Sequence, residues 1–369
     1  MDLEQTTNAL RLSWRSWFLA ALIVVGLAEG SPRWWERWEP FVPSAAYRVP
    51  YALSEDYWHY QRLAREAARQ ERVLALGDSV IWGEYAIPGQ TLTDRLNELS
   101  GSRLFVNGGL NGLHPLAIHG LVRHYLAGAA QRRVLLHCNL LWLSSPQRDL
   151  REGEENAFNH PRLVPQWYPL IPAYHADLDE RLATSVDRDS AVRGWVQHLR
   201  AAYFDNQSIT AWSLEHPYEF PLHELRGDIP QPETTYRHRT VPWNQQGIRP
   251  AAMDWVSLDA SWQWRGFRMA VDALRAQTIQ PFVVVGPFNE HLLPPDNRAT
   301  YRALLAEVDR WLTANDIPHC LPELLPSEEY GDASHPLAAG YSRLAAALWA
   351  DAAFQAWLAP APPAVRQAD

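Results

Sequence analysis

The chain has 369 residues, of which 47% are hydrophobic and 20% are charged, and its formal net charge is −9. This length is sufficient to bury one large α/β core, and an acidic chain without a run of Lys and Arg is a poor match for nucleic acid. Two cysteines are too few for a disulfide framework or a cysteine-rich metal site.

An apolar run without a charged residue spans residues 17–28 and follows Arg11 and Arg15. Its length is typical of the apolar region of a signal peptide, and residues 28–30 form a small-x-small cleavage site. Tryptophans on both sides of the run instead indicate a retained membrane anchor, and a buried helix is the third interpretation. We therefore expect residues 1–30 to be an N-terminal signal anchor or signal peptide. The expected localisation is the inner (cytoplasmic) membrane, single-pass, with the rest of the chain outside the cytoplasm, and a secreted or periplasmic protein is the alternative.

Residues 31–71 are predicted to form a linker and a leading helix. The stretch 40–50 contains prolines and has no helical period, which indicates a spacer. Ser54 can then cap a helix over residues 55–71.

Residues 72–358 alternate between short apolar runs and amphipathic helical stretches. The predicted strands are at 73–76, 104–106, 134–136, 282–285 and 319–321, and the predicted helices are at 90–99, 115–126, 261–276, 300–314 and 337–357. This alternation predicts an α/β fold in which a parallel five-stranded sheet is covered by helices on both faces. Residues that follow the strands then meet at the carboxyl edge of the sheet, where such folds place their active sites.

The stretch 144–260 interrupts the alternation and is rich in Pro, Trp, His and Arg. We expect it to form a large, mainly irregular and helical insertion over the sheet edge. Its tryptophans either stack on sugar rings or pack the insertion onto the core, and packing is the interpretation that we favour for each of them. Residues 359–369 are predicted to be a disordered tail.

The tripeptide Gly77-Asp78-Ser79 directly follows the first predicted strand. Glycine at this point lets the chain turn sharply and expose the Ser79 hydroxyl at the sheet edge. By itself, the tripeptide favours an ordinary turn over a catalytic site.

Two further polar elements follow the second and third predicted strands. The segment Asn107-Gly108-Gly109-Leu110-Asn111-Gly112 contains glycines that let backbone N–H groups approach a ligand closely. Asn139 follows the third strand, and its amide can donate a hydrogen bond into a cleft there. Each element alone also fits a simple turn. The G-x-G-x-x-G spacing of a dinucleotide site is absent.

Asp332 and His335 stand three residues apart between the last predicted strand and the final helix, and they can project to the same side. A hydroxyl is a poor nucleophile at neutral pH unless an adjacent base takes its proton. His335 can supply this base, and Asp332 can orient the ring and stabilise the imidazolium. A capping Asp beside a surface His is the alternative for this pair alone.

Together, in this order and at strand ends, these four elements resemble the SGNH (GDSL-like) hydrolase family. The surrounding segments LALGDSVIWG, IPGQTLTDRLNEL and LFVNGGLNG are similar to those of the family as well. The resemblance covers residues 72–143 and 278–350 and implies the three-layer, flavodoxin-like fold of these proteins. It also implies that Ser79, Asp332 and His335 are catalytic.

The resemblance further implies an oxyanion hole made by Gly112 and Asn139, where the register favours Gly112 over Gly109. The third block of the family is usually Gly-x-Asn-Asp, and this chain departs from it. His137 stands at the position of the glycine and Leu140 at that of the acid.

The function implied by the resemblance is a serine-dependent ester hydrolase that acts on an acyl ester, foremost an O-acetyl ester, of a cell-envelope carbohydrate or lipid. An O-acyltransferase with the same triad and a non-catalytic envelope polysaccharide assembly or binding protein are the alternatives. The expected partners are the acyl-ester substrate, with a polysaccharide as one candidate, and the membrane through the N-terminal segment. No cofactor is expected.

Asn289 and His291 follow the predicted strand at 282–285 and are therefore candidates either for substrate contact or for shaping the loop. His114, His119 and His124 recur every five residues, which rotates each by about 140° from the last on a helix. They do not share a face, so no metal site is predicted from them.

Overall fold

The computed structural model describes residues 13–128, 132–153, 158–219 and 240–359. At its centre lies one sheet of five parallel strands in the order β2-β1-β3-β4-β5. The strands are β1 (Val73–Gly77), β2 (Phe105–Gly109), β3 (Arg133–Cys138), β4 (Gln280–Val285) and β5 (His319–Cys320). The predicted α/β class and the parallel five-stranded sheet are confirmed. The predicted disordered tail lies, except for Ala359, outside the described residues.

Helices cover both faces of the sheet because strand side chains alternate between the faces and are apolar on each. Leu74 and Leu76 pack on one side, and Val73 and Ala75 on the other. The first face is covered by α2 (Tyr57–Arg69), α5 (Pro115–Leu121), α9 (Trp262–Ala276) and α10 (Pro295–Ala314), and the second by α4 (Leu92–Ser100), α11 (Ala338–Ala350) and α12 (Ala352–Leu358).

Local capping signals explain where several of these helices begin. Thr91 and Asp94 form a reciprocal capping box at the start of α4. The helix predicted over residues 337–357 is two helices, because the Asp351 carboxylate accepts a hydrogen bond from the N–H of Phe354 at 2.8 Å and starts α12. The helix predicted over 115–126 continues past α5 as a π-helical turn, Val122–Leu126.

β1 lies between β2 and β3, so the chain leaves it in one direction and later returns on its other side. This reversal of strand order opens a crevice at the carboxyl end of β1. The short helix α3 (Ser79–Trp82) starts in this crevice, directly after β1. The fold therefore places Ser79 where α/β sheets bind their ligands.

The described part of the insertion contains three α-helices, α6 (Leu178–Asp189), α7 (Ala191–Tyr203) and α8 (Ile209–Glu215). Three of the tryptophans in or beside it are buried, namely Trp212, Trp243 and Trp264. Trp243 packs against Leu292, Leu325 and Tyr330 and so joins the insertion to the rest of the chain, as expected, whereas Trp212 packs within the insertion against Phe204 and His216.

The N-terminal helix α1 (Trp14–Trp38) passes without a break through the predicted cleavage site. Its apolar run has 12 residues and so rises only about 18 Å, against a hydrocarbon core of about 30 Å. The remainder of α1 carries Glu29, Arg33, Glu36 and Arg37. In the described part of the chain, no helix is long and apolar enough to span a membrane, so the predicted single-pass membrane localisation is wrong.

The end of α1 is fixed to the body by a buried ionic cluster. Glu39, which ends the helix, forms an ion pair with Arg62 of α2 and lies 3.1 Å from His198 Nε2 of α7. The other ring nitrogen of His198 lies 2.6 Å from an Asp56 carboxylate oxygen. Each buried charge in this cluster is paired, as burial requires.

The stretch predicted as a spacer packs against α3 instead. Arg48 and Val49 are both buried. The Arg48 guanidinium donates to the Gly83 carbonyl at 2.7 Å and lies over the Trp82 ring, while the Trp82 indole N–H donates to the Val49 carbonyl at 2.6 Å. This segment therefore supports the helix that begins with Ser79.

Candidate active site

The Ser79 side chain is presented by a tight turn between β1 and α3. Asp78 caps α3, and its carboxylate accepts a hydrogen bond from the N–H of Val80 at 3.0 Å. Asp78 and Val80 are buried, whereas Ser79 between them is partly exposed. α3 ends after one turn at Gly83, which has a φ of 93°. The Ser79 hydroxyl is thus held at the sheet edge and is accessible.

The structure brings Ser79, His335 and Asp332 together in one hydrogen-bonded series. Ser79 Oγ lies 2.8 Å from His335 Nε2. His335 Nδ1 lies 2.8 Å and 2.9 Å from the two carboxylate oxygens of Asp332. Asp332 Oδ1 also accepts hydrogen bonds from the backbone N–H groups of Ser334 and His335, each at 2.9 Å. The carboxylate therefore fixes both the ring and the backbone that carries it.

Asn289 and His291 hold this loop in place. The Asn289 side-chain amide donates to the Asp332 carbonyl at 3.0 Å, and its backbone N–H donates to the Ala333 carbonyl at 2.8 Å. His291 Nε2 donates to the Leu325 carbonyl at 3.0 Å. Asn289 is fully buried. Of the two roles expected for these residues, these contacts favour shaping of the loop.

The backbone of the glycine-rich segment distinguishes Gly112 from Gly109. The Gly109 N–H donates to Asn107 Oδ1 at 3.0 Å and is therefore occupied. In the described residues, the Gly112 N–H has no acceptor, and Gly112 has a φ of 69°. A Cβ at this position would lie 2.7 Å from Asn159 Nδ2. Of the two glycines, only Gly112 has an N–H available for a ligand.

Asn139 lies at the end of β3, beside the Asp78 carboxylate. Its Nδ2 donates to Asp78 Oδ2 at 2.8 Å, and its Oδ1 accepts from the N–H of Leu141 at 3.0 Å. An amide nitrogen carries two hydrogens, so one remains for a ligand after the bond to Asp78. Asn139 is thus hydrogen-bonded to Asp78, the residue that precedes Ser79.

Negative charge dominates the surroundings of His335. Burial alone would lower the pKa of the imidazole, but the carboxylates of Asp332, Asp78 and Glu84 outweigh it and raise the pKa to about 9. The pKa of Asp332 is lowered, because the attraction to His335 outweighs the opposite effect of burial. The resting pair is therefore an imidazolium and a carboxylate at neutral pH.

Sequence reasoning missed Tyr85, whose ring lies against that of His335 with 5.7 Å between centroids. Burial and the nearby Asp332 carboxylate, with which it forms a hydrogen bond, raise the pKa of Tyr85 well above its usual value. Tyr85 lies in no recognisable motif, so only the fold reveals its contact with the pair.

Two described segments of the insertion, at Asn159 and at Gln246, border the site. Asn159 lies against Gly112, and its backbone carbonyl accepts a hydrogen bond from His114 Nε2 at 3.2 Å. On the opposite side, the Gln246 amide donates to the Gly331 carbonyl at 2.8 Å. The insertion thus flanks the glycine-rich segment and the loop that carries Asp332.

Gly109 allows the close approach of β2 to α3, and Gly109→Ala is expected to destabilise the protein. An added Cβ would overlap the backbone nitrogen of Trp82, which cannot move without displacing α3. We expect the free energy of unfolding in urea to fall by about 1–3 kcal/mol or more.

Gly153→Ala is the matched control, since a Cβ there has no neighbour within 4 Å. It is expected to change the free energy of unfolding by about 0.5 kcal/mol at most. Equal stability of the Gly109→Ala and Gly153→Ala variants contradicts the close approach of β2 to α3.

No known protein-family model matches this chain, and no curated protein is significantly similar to it.

Proposed function

We propose that this chain is a serine esterase of the SGNH (GDSL-like) type, in which Ser79 attacks an acyl ester. The observation that carries the proposal is the distance of 2.8 Å between Ser79 Oγ and His335 Nε2, with Asp332 bound to the other ring nitrogen. A nucleophile, a base and a group that orients the base within hydrogen-bonding distance are the arrangement that activates a hydroxyl.

The reaction proceeds in two steps, acylation of Ser79 and hydrolysis of the acyl-serine. Ser79 Oγ attacks the ester carbonyl while His335 Nε2 takes its proton, and the tetrahedral intermediate then expels the alcohol, which receives that proton. Water next attacks the acyl carbonyl while His335 Nε2 takes one of its protons, and the second intermediate breaks its bond to Ser79 Oγ, which receives that proton as the acid is released. The negative oxygen of each intermediate accepts hydrogen bonds from the N–H groups of Ser79 and Gly112 and from the amide of Asn139.

The candidate site for the carrier of the acyl group is a cavity that is lined by Asn111 and by Asn159, the neighbour of Gly112, and not by Ser79 or His335. It has a volume of about 220 Å³ and is lined by Asn111, Asn159, Gln197 and Asn206, among others. Its described lining includes no Lys or Arg, and it includes the carboxylate of Glu55, so an anionic ligand is disfavoured. Side-chain amides offer both donors and acceptors, which a neutral ligand with many hydroxyls can satisfy. We therefore propose an O-acylated sugar, foremost an O-acetylated one, as the substrate.

The test of the proposed function is covalent labelling with a fluorophosphonate probe at pH 9, followed by peptide mass spectrometry. We expect one label per chain, located on Ser79, and no label on a Ser79→Ala variant. The matched control is Ser342→Ala on the exposed surface of α11, which should be labelled like the wild-type protein. A wild-type chain that resists labelling, or a labelled Ser79→Ala variant, contradicts the proposal and favours a non-catalytic protein.

The pH dependence of kcat/KM is expected to have an acidic limb with an apparent pKa of about 9. His335 must be neutral to accept the proton of Ser79, and its raised pKa keeps it protonated below that pH. Since one proton must be lost, kcat/KM should rise about 100-fold between pH 6 and pH 8. The measurement is hydrolysis of p-nitrophenyl acetate with subtraction of the spontaneous rate at each pH. A profile that is flat over this range contradicts the predicted electrostatics of the pair.

A further inference from the structure

Asp78 is a buried carboxylate that the proposed reaction does not use directly, although it immediately precedes Ser79. Its Oδ2 accepts hydrogen bonds from Asn139 Nδ2 and Trp142 Nε1, each at 2.8 Å. Its Oδ1 accepts from the N–H of Val80 at 3.0 Å and lies 3.2 Å from His137 Nδ1. A buried charge with this many donors is stabilised by charge-assisted hydrogen bonds. Asp78 thereby joins the ends of β1 and β3.

His137 is buried in β3, and both of its ring nitrogens face oxygen acceptors. Nδ1 faces the Asp78 carboxylate, and Nε2 lies 3.0 Å from the Gly286 carbonyl, just past β4. The Gly286 carbonyl can only accept, so the Nε2–H group donates to it, while Nδ1 faces the carboxylate. His137 therefore holds Asp78 from a point fixed between β3 and β4.

Asp78 in turn determines the orientation of the Asn139 amide. The bond from Nδ2 to Asp78 and the bond from the Leu141 N–H to Oδ1 are both lost if the amide is rotated by half a turn. In the rotated state the amide oxygen faces the carboxylate, which repels it. The observed orientation also fixes the second hydrogen of Nδ2, since the amide group is planar.

We propose that His137, acting through Asp78, is a positioning residue that orients the Asn139 amide for the oxyanion hole. This inference rests on the proposed esterase function, in which Asn139 donates to the oxyanion. It assigns a role to a histidine at the position where the third block of the SGNH family usually has glycine.

The first test compares His137→Asn with His137→Gln, because each can retain one of the two contacts of the ring. The asparagine amide places an N–H at about the position of Nδ1 and can bind Asp78, whereas the glutamine amide reaches about the position of Nε2 and can bind Gly286. We expect kcat for p-nitrophenyl acetate to fall by about tenfold or more in His137→Gln and by less than about threefold in His137→Asn. KM should stay within about twofold of the wild-type value in both variants, because oxyanion contacts are made in the transition state.

A structural role alone predicts a different result. If the buried pair only stabilises the fold, the two variants lose similar activity and the loss follows the fraction of unfolded protein, which thermal unfolding at the assay pH measures. Equal kcat values for His137→Asn and His137→Gln overturn the proposal.

The second test is Asp78→Asn, alone and combined with His137→Gln. An amide at position 78 presents an N–H group to other N–H donors, so we expect kcat to fall by about 100-fold with little change in KM. The kcat of the double variant should lie within about twofold of the kcat of Asp78→Asn, because His137 acts through Asp78. A kcat within about threefold of wild type in Asp78→Asn overturns the proposal, and this test stands even where His137→Gln does not fold.

Failure of the inference is distinguishable from failure of the proposed function. A wild-type chain that hydrolyses the ester and is labelled on Ser79, together with unaltered kcat in the Asp78 and His137 variants, contradicts the positioning role alone. A wild-type chain that neither hydrolyses the ester nor reacts with the probe contradicts both.

Discussion

Ser79→Ala is expected to lower kcat for p-nitrophenyl acetate by about 10⁴-fold or more. In the proposed reaction the substitution removes the atom that forms the acyl bond, and the proposed oxyanion donors cannot replace it. Removal of one oxygen from a partly exposed side chain leaves no cavity, so the free energy of unfolding should change by about 0.5 kcal/mol at most. Turnover and urea unfolding are to be measured on the same preparation.

Ser342→Ala removes the same oxygen from the exposed face of α11 and should retain the wild-type kcat. A Ser79→Ala variant with more than about a tenth of the wild-type activity would show that ester cleavage does not use this hydroxyl.

The sheet could be predicted from sequence because its signal is local. Burial on both faces makes most strand residues apolar, and the buried Asn107 of β2 and His137 of β3 are the polar exceptions. Even β5 was found at His319–Cys320, where only a weak run marks it. Part of the candidate site could be predicted for the same reason, since Ser79 and Asn139 closely follow β1 and β3, which end at one edge of the sheet. Asp332 and His335 lie more than ten residues beyond β5, so their spacing and the resemblance were needed to find them.

Features that depend on contacts between distant segments were not visible in the sequence. The stretch around Arg48 and Val49 has no periodicity, and its burial arises from Trp82 and Gly83, more than thirty residues away. α1 has the composition of a targeting segment, but Glu39 and Arg62 fix its end within the body of the protein. The apolar run of α1 itself remains exposed, as at Trp17 and Leu22, so only the end of the helix is packed.

The departure at His137 illustrates the same limit within the site. From the sequence, a histidine in place of glycine only weakens the assignment of Asn139. In the structure, the ring lies between Asp78 and the Gly286 carbonyl. Gly286 lies about 150 residues further along the chain, so no local pattern could reveal this contact.

Asp332→Asn is expected to lower kcat by about 10⁴-fold at neutral pH while leaving the loop folded. In the wild-type protein the N–H groups of Ser334 and His335 donate to Asp332 Oδ1, and in the variant the amide oxygen can accept both bonds. The amide nitrogen then faces His335 Nδ1 and donates to it, so the ring proton moves to Nε2. A ring protonated at Nε2 cannot accept the proton of Ser79.

Loss of the carboxylate also moves the pH profile in a predictable direction. Asp332 is the foremost of the charges that raise the pKa of His335 to about 9. Without it, the burial that lowers the pKa is opposed only by Asp78 and Glu84, so the acidic limb of kcat/KM should shift to lower pH. The kcat/KM of Asp332→Asn should therefore level off at a lower pH than the kcat/KM of the wild-type protein. Its maximum value remains far below that of the wild-type protein.

Asp309→Asn is the matched control, because Asp309 forms an equivalent pair with His319, at 2.9 Å between Nε2 and Oδ1, on the half-exposed surface of α10. It should alter neither kcat nor the position of the acidic limb. If Asp332→Asn retains kcat within about tenfold of wild type, the carboxylate does not set the tautomer of His335. If its acidic limb stays at about pH 9, the charge of Asp332 is not what holds the imidazole protonated.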